Sequence, residues 1–268
     1  MNDDATGAAP RLPPHPALRG YYDRVEEKPA FVRELFDEAA GDYDQIEGMM
    51  AFGTGRWYRR QALKRAGLGT GMRVLDVAVG TGLVAREAIT LTGDRRLVLG
   101  VDPSAGMLHQ ARRLLGLTAV QGLGERLPCR DGSFDFVSMG YALRHLADLV
   151  VTFNEFCRVL RPGGVICVLE LTRPAGRLGY CFLKIYLQRV IPFVTRLTTH
   201  NRQAERLMRY FWDTIVACVP PAEILAALSC AGFENVHRTV VLGIFSEYVG
   251  SVPATTSVPA SAILSDPG

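Results

Sequence analysis

Val74-Leu75-Asp76-Val77-Ala78-Val79-Gly80-Thr81-Gly82 is the stretch that decides the fold. Its first half, with the preceding Met72 and Arg73, is the apolar run of a buried strand. From Leu83 to about Thr92 the apolar spacing becomes helical. A strand that enters a helix through glycines is the opening unit of a βαβ crossover. Glycine there lets the backbone approach a ligand, and the helix N-terminus favours anionic groups.

The same alternation continues outward. Leu97 to Asp102 reads as a second strand, and Ser104 is placed to cap a helix whose stripe is Met107, Leu108, Ala111, Leu114 and Leu115. Short strands are expected at Thr118 to Gly122 and at Phe134 to Met139. A helix from Leu149 to Leu160 should stop at Arg161-Pro162-Gly163-Gly164, ahead of a central strand Val165 to Glu170. Pro221 starts a helix that Gly232 ends, and Phe233 to Leu242 and Ile244 to Val249 form two strands joined at Gly243, a connection so short that the pair must be antiparallel. The pattern is an α/β, doubly wound, mostly parallel sheet covered on both faces.

Composition bounds the rest. The chain has 268 residues with 48% apolar content, enough for one α/β domain with an elaboration. Its net charge of +3 is too small and dispersed for a nucleic-acid partner. The six cysteines form no CxxC pair and suit reduced core positions; with no basic start and apolar run at the N-terminus, the reading is cytoplasmic. Residues 1–20 and 251–268 are rich in Pro, Ala, Ser and Thr and read as flexible tails. Residues 21–70, with Phe31, Val32, Leu35 and Phe36 at helical spacing, read as a helical cap on a main domain at 71–250 that carries a cap insertion at about 174–215. Leu178 to Val194 is interrupted by Lys184, Gln188, Arg189 and Pro192, so it fails as a spanning helix and leaves at most peripheral membrane contact.

The glycine turn must hold a ligand, but the spacing alone does not choose it. Gly80, Gly82 and Ala85 satisfy G-x-G-x-x-G/A with Asp102 about twenty positions on, which suits a nicotinamide dinucleotide. Asp76 on the strand before the glycines, and Glu125 in Gly124-Glu125-Arg126-Leu127-Pro128, favour a sulfonium cofactor instead. Asp76 would then hold the methionyl amine directly or through water, and Asp102 would accept the ribose hydroxyls. The lesser alternative is that both merely cap neighbouring turns.

VLDVAVGTG at 74–82, VDPSAGML at 101–108, GERLPCRDGSFD at 124–135, YALRHLAD at 141–148 and RVLRPGGVICVLELTRP at 158–174 together resemble the ubiquinone/menaquinone C-methyltransferase (UbiE-like) family. FDEAAGDYDQIEGMMAFGTGRWYRR at 36–60 and AGFENV at 231–236 extend the resemblance to roughly residues 30–250. It implies S-adenosyl-L-methionine as cofactor and a seven-stranded Rossmann-like methyltransferase sheet ending in an antiparallel hairpin. It also implies cofactor contacts at Thr81, Asp102, Leu123, Gly124 and Gly140, to which the glycine-turn reading adds Asp76, Ala78, Gly80, Gly82, Pro103 and Glu125. Leu123 departs from the Asn or Asp expected opposite adenine, Gly140 from a serine, and His145 from an asparagine.

Methyl transfer from a sulfonium is an in-line displacement that needs no protein nucleophile. Carbon methylation does need an electron-rich ring, a phenol or quinol, that loses a proton. The candidates beyond the fourth strand are Tyr141, Arg144 to steady a phenolate, and His145 as base, with His200 as a second base. Arg144 could instead pair with Asp148 at i+4, and His145 could merely start a helix. The Leu178 to Val194 insert carries more apolar surface than one stripe needs, as a lid for a lipophilic aromatic acceptor or as a face packed on the core or in a homodimer. Tyr21, Tyr22, Tyr43, Trp57 and Tyr58 could wall that pocket or simply pack together. O- or N-methylation of another small metabolite is the alternative reaction.

Overall fold

The structure is a computed structural model that describes residues 11–41, 43–44, 54–198 and 203–254. Its sheet has the order β3-β2-β1-β4-β5-β7-β6. The strands are β1 (Val74–Val77), β2 (Val98–Asp102), β3 (Thr118–Gln121), β4 (Phe134–Gly140), β5 (Leu160–Leu171), β6 (Glu234–Val241) and β7 (Phe245–Ser251). Strands β1 to β5 pair in parallel, whereas β7 is antiparallel to both β5 and β6. The order reverses between β1 and β4, so the loops after these two strands diverge and leave a crevice at their carboxyl ends.

Helices cover both faces, which is why every residue of β1 is buried. One face packs α2 (Gly55–Arg65), α3 (Leu83–Thr92) and α4 (Ala105–Leu115) through Ala62, Leu63, Val84, Ala88, Leu108 and Ala111. The other packs α5 (Leu149–Val159) and, further along, a helix at Pro221–Cys230 through Phe153, Phe156, Ile224 and Leu228. Ser104 accepts from Met107 N at 3.0 Å and starts α4. Asp148 accepts from Val150 N and Val151 N at 2.8 and 3.0 Å and starts α5.

A third core forms the cap. There α1 (Lys28–Ala39) meets α6 (Arg177–Ile185), a π turn (Tyr186–Val190), α7 (Ile191–Thr198) and α8 (Gln203–Ala217); the helix at Pro221–Cys230 is α9. Two sequence expectations change. Residues 11–20 pack on the body rather than trailing free: Leu12 exchanges bonds with Asp148 and Leu149, and Val219 N donates to Pro14 O at 2.8 Å. Pairing in β5 also starts at Leu160, because left-handed Gly163 bulges the Arg161–Gly164 turn without breaking the ladder. Ser251 closes β7, and Val252 exchanges two further bonds with Gly163 and Gly164.

Candidate functional site

Ala78 (φ 54°), Gly80 (φ 55°) and Gly82 (φ 94°) are all left-handed after β1. At Ala78 that conformation is strained, and such strain gathers where a ligand must be met. The two glycines do different jobs. A Cβ on Gly80 would meet nothing within 4 Å, so its open side faces the crevice. A Cβ on Gly82 would lie 2.4 Å from Leu115 Cδ1, so this glycine lets α3 sit against α4 and does not line the cavity.

Asp102 ends β2 nearly buried and ties the turn down: Oδ2 accepts from Gly80 N and Oδ1 from Ser104 N, both at 2.8 Å. It is thus a turn cap as well as a lining group, and each oxygen keeps a further lone pair for a ligand hydroxyl. Burial pushes its carboxyl up to about 6, opposed by those backbone bonds. Ala78, Pro103, exposed Leu123, Gly124, Glu125 and Gly140 line the same cavity. Glu125 Oε1 accepts from Ala147 N at 2.6 Å, joining the loop after β3 to the one after β4. At Gly140 a Cβ would lie 2.5 Å from Val84 Cγ2, so Val84 of α3 occupies the room that a serine would need.

Asp76 and Thr81 do not line the cavity. Asp76 lies beneath the turn, where its Oδ1 accepts from Ser138 Oγ at 2.6 Å and its Oδ2 is buried with no partner. Asp76 thus ties β1 to β4 through Ser138 and is set back from the cavity surface. Burial pushes this carboxyl up from 3.8 to about 7. The unfolded chain then releases its proton from about pH 4 upward while the native state keeps it until about pH 7, so the group costs stability as pH rises through that window. Asp76→Asn, which keeps an acceptor for Ser138, should gain melting temperature over the wild type between pH 5 and pH 8; scanning fluorimetry showing a constant or shrinking gap would reject this. Thr81 Oγ1 donates to Asp44 Oδ1 at 2.5 Å and anchors the cap segment.

Of the catalytic candidates, Tyr141 and His145 line the cavity. Tyr141 is left-handed (φ 61°), the second strained residue at the crevice, and its N donates to Leu169 O at 2.7 Å. His145 sits in the 3-10 turn Leu143–His145, stacked on Tyr210 and Phe211 at 5.4 and 5.7 Å with Phe36 edge-on at 5.3 Å. Both of its ring nitrogens are shielded from solvent without a hydrogen-bond partner. Burial, and then the charge of Arg144, hold its pKa well below 6.5, so the ring is neutral.

Arg144 departs from both expectations. It is fully buried outside the cavity lining, with Nε on Glu170 Oε1 at 2.9 Å and Nη1 on Thr214 Oγ1 at 2.6 Å. Asp148 is committed to capping α5, so the i+4 pair does not form. His200 lies outside the described residues.

Pro29, Val32, Phe36, Tyr43, Met107 and Leu146 complete an apolar wall. Val32, Phe36 and Met107 were visible in the sequence as helical stripes, but a stripe that faces a cavity has the same period as one that faces a core. Of the aromatic group, Tyr43 reaches the cavity. Tyr21 and Tyr22 pack in the cap, Tyr58 stacks on Phe245 at 4.6 Å, and Trp57 is exposed. No residue of 178–194 is among the described lining.

The crevice, its carboxylate and the apolar wall can be set beside known proteins. A profile of the ubiE/COQ5 methyltransferase family matches residues 23–251. The chain is 32% identical over 235 residues to the ubiquinone/menaquinone biosynthesis C-methyltransferase UbiE of Geobacter sulfurreducens, covering 85% of this chain and 90% of that protein. It is 31% identical over 230 residues to the demethylmenaquinone methyltransferase of Mycobacterium sp. strain KMS, covering 85% and 97%. Among solved structures, a SAM-dependent methyltransferase from Thermotoga maritima superposes with a TM-score of 0.58 at 21% identity, covering 82% and 98%. One from Aquifex aeolicus does so with a TM-score of 0.52 at 19% identity, covering 72% and 89%; likenesses at this distance speak for the fold alone.

Proposed function

The chain belongs to the ubiE/COQ5 methyltransferase family, and from that premise we propose that it methylates a ring carbon of a hydroxylated aromatic or quinol, with His145 as proton acceptor. As an S-adenosyl-L-methionine-dependent methyltransferase it does not use the dinucleotide that the glycine spacing also allowed, nor is it a non-catalytic module. The acceptor reading rests on one observation: the apolar cavity beside Asp102 is lined by the His145 ring, whose two nitrogens are buried without a hydrogen-bond partner.

The residues present fit the cofactor. Gly80 offers an open backbone face, Asp102 has spare lone pairs for a diol, and Leu123, Gly124 and Gly140 line the same largely apolar cavity. S-adenosyl-L-methionine supplies an electrophilic methyl group when bound. Glu125, which accepts from Ala147 N, would hold the loop after β3 in place beside the cofactor. If Asp102 carries the ribose hydroxyls, Asp102→Asn puts an amide donor against Gly80 N–H or Ser104 N–H and removes the charge. S-adenosylhomocysteine affinity by calorimetry should then fall about 100-fold, the sum of one or two charge-assisted bonds. A loss under about threefold would leave Asp102 as a turn cap alone.

For each methyl gained, the aromatic ring must release one proton. Burial, then the Arg144 charge, and less so Lys28, whose Nζ donates to Leu146 O at 2.8 Å and which burial holds down to about 7, depress the His145 pKa. A positive field beside the ring favours ionisation of the acceptor hydroxyl while it weakens the imidazole as a base, and the hydroxyl proton passes to neutral His145 only as charge builds on oxygen in the transfer. Val32, Phe36, Met107 and Leu146 keep water from the transfer.

Isotopically labelled methyl from the cofactor should appear on a ring carbon when the enzyme is offered phenols and quinols. Label recovered solely on oxygen or nitrogen would establish the O- or N-methylation reading instead.

A further inference from the structure

The cap insertion carries an apolar face that nothing in the described chain covers. Leu183, Tyr186, Leu187 and Ile191 turn inward to the cap core. On the outside, Leu178, Phe182, Ile185 and Phe193 are 89%, 65%, 55% and 65% exposed. The first three follow i, i+4, i+7 on α6, one continuous stripe, and Phe193 extends the apolar surface onto α7.

Charge on this segment has one sign. Between Glu170 and Glu205 the sequence holds no acidic residue but has Arg173, Arg177, Lys184, Arg189, Arg196 and Arg202. Arg173, Arg177, Lys184 and Arg189 are exposed around the stripe. We infer that this face docks on an anionic phospholipid bilayer. Exposed phenylalanine and leucine enter the boundary between headgroups and acyl chains, while arginine and lysine stems reach along the apolar surface to place their charges on phosphates. Cations of one sign flanking an exposed phenylalanine and leucine stripe are the combination that an anionic bilayer binds, apolar burial and phosphate attraction acting together.

No single helix among the described residues is long and apolar enough to cross a membrane, and the one bent pair that passes by length and composition, Glu205–Ala217 with Pro221–Cys230, gives Leu207, Phe211, Ile224 and Leu228 to the buried cores, so the contact is peripheral. Val32 of α1 belongs to the same cap core as Leu183 and Ile191 and also lines the cavity, but the docking inference itself needs nothing from the acceptor reading.

Sedimentation of the full chain with vesicles tests it. The chain should bind vesicles of phosphatidylcholine plus phosphatidylglycerol, release from them as salt is raised, and ignore pure phosphatidylcholine. Leu178→Ser with Phe193→Ser should weaken partitioning about tenfold or more, and Lys184→Glu with Arg189→Glu likewise. Melting temperature and S-adenosylhomocysteine affinity should remain as in the wild type, which separates loss of docking from loss of fold or of cofactor site. Equal binding to both vesicle types, or undiminished binding of either variant, would overturn the inference. So would light scattering that finds a dimer broken by Leu178→Ser with Phe193→Ser while vesicles go unbound, because the face would then belong to a second copy.

Discussion

His145→Phe should lower kcat by about a hundredfold to ten-thousandfold, the range spanned by a positioned general base. The substitution keeps an aromatic ring between Phe36, Tyr210 and Phe211 and deletes both nitrogens, so stability and S-adenosylhomocysteine affinity should change little. The wild-type pH profile adds an independent check. Burial and the neighbouring cations lower the His145 pKa, so the ring is already neutral above its folded-state value. The acid limb of kcat should therefore lie well below pH 6.5, with no loss on passing from pH 8 to 6.5. A limb at or above 6.5 that vanishes in His145→Phe would mean that the imidazole titrates as in water and that the buried field is not at work. If His145→Phe turns over within about threefold of the wild type, the ring is packing and the proton acceptor lies elsewhere.

Legibility in the sequence followed the reach of each interaction. The run from Val74 to Thr92 states its own strand, turn and helix, because backbone conformation is set by neighbours: glycines for left-handed φ, apolar period for burial. Ser104 could be read as a cap for the same reason, its partner being Met107 N three residues on. The side chains whose partners are distant were misread. Asp76 is bound to Ser138, 62 residues away, and does not line the cavity that its place before the glycines suggested. Gly82 looked like part of the ligand cradle, yet what forbids its side chain is Leu115 on another helix. Residues 11–20 looked disordered by composition, but Leu12 and Pro14 borrow hydrogen bonds from Asp148, Leu149 and Val219. Local propensity cannot register such loans.

Arg144 is the sharpest case, and it carries the other large prediction. Its guanidinium bonds Glu170, 26 residues on, and Thr214, 70 residues on, so it pins the turn after β4 to both β5 and the cap helix α8. Arginine and glutamate are 0% and 3% exposed at the side chain. Arg144→Met leaves Glu170, which already has one oxygen without a partner, as an uncompensated buried carboxylate. Losing one member of a buried pair costs about 3–5 kcal/mol, which for a chain of this size lowers the melting temperature by roughly 10 °C. Glu170→Gln alone should also destabilise, since the guanidinium would lose its counter-charge. Combining the two removes both charges from the interior, and desolvation is then no longer spent on either. The double variant should recover most of the loss and melt well above Arg144→Met, giving a coupling energy of a few kcal/mol in the cycle. Additive losses would show that Arg144 acts through Thr214 and the Phe211 carbonyl, to which it also donates, and that the ion pair contributes little.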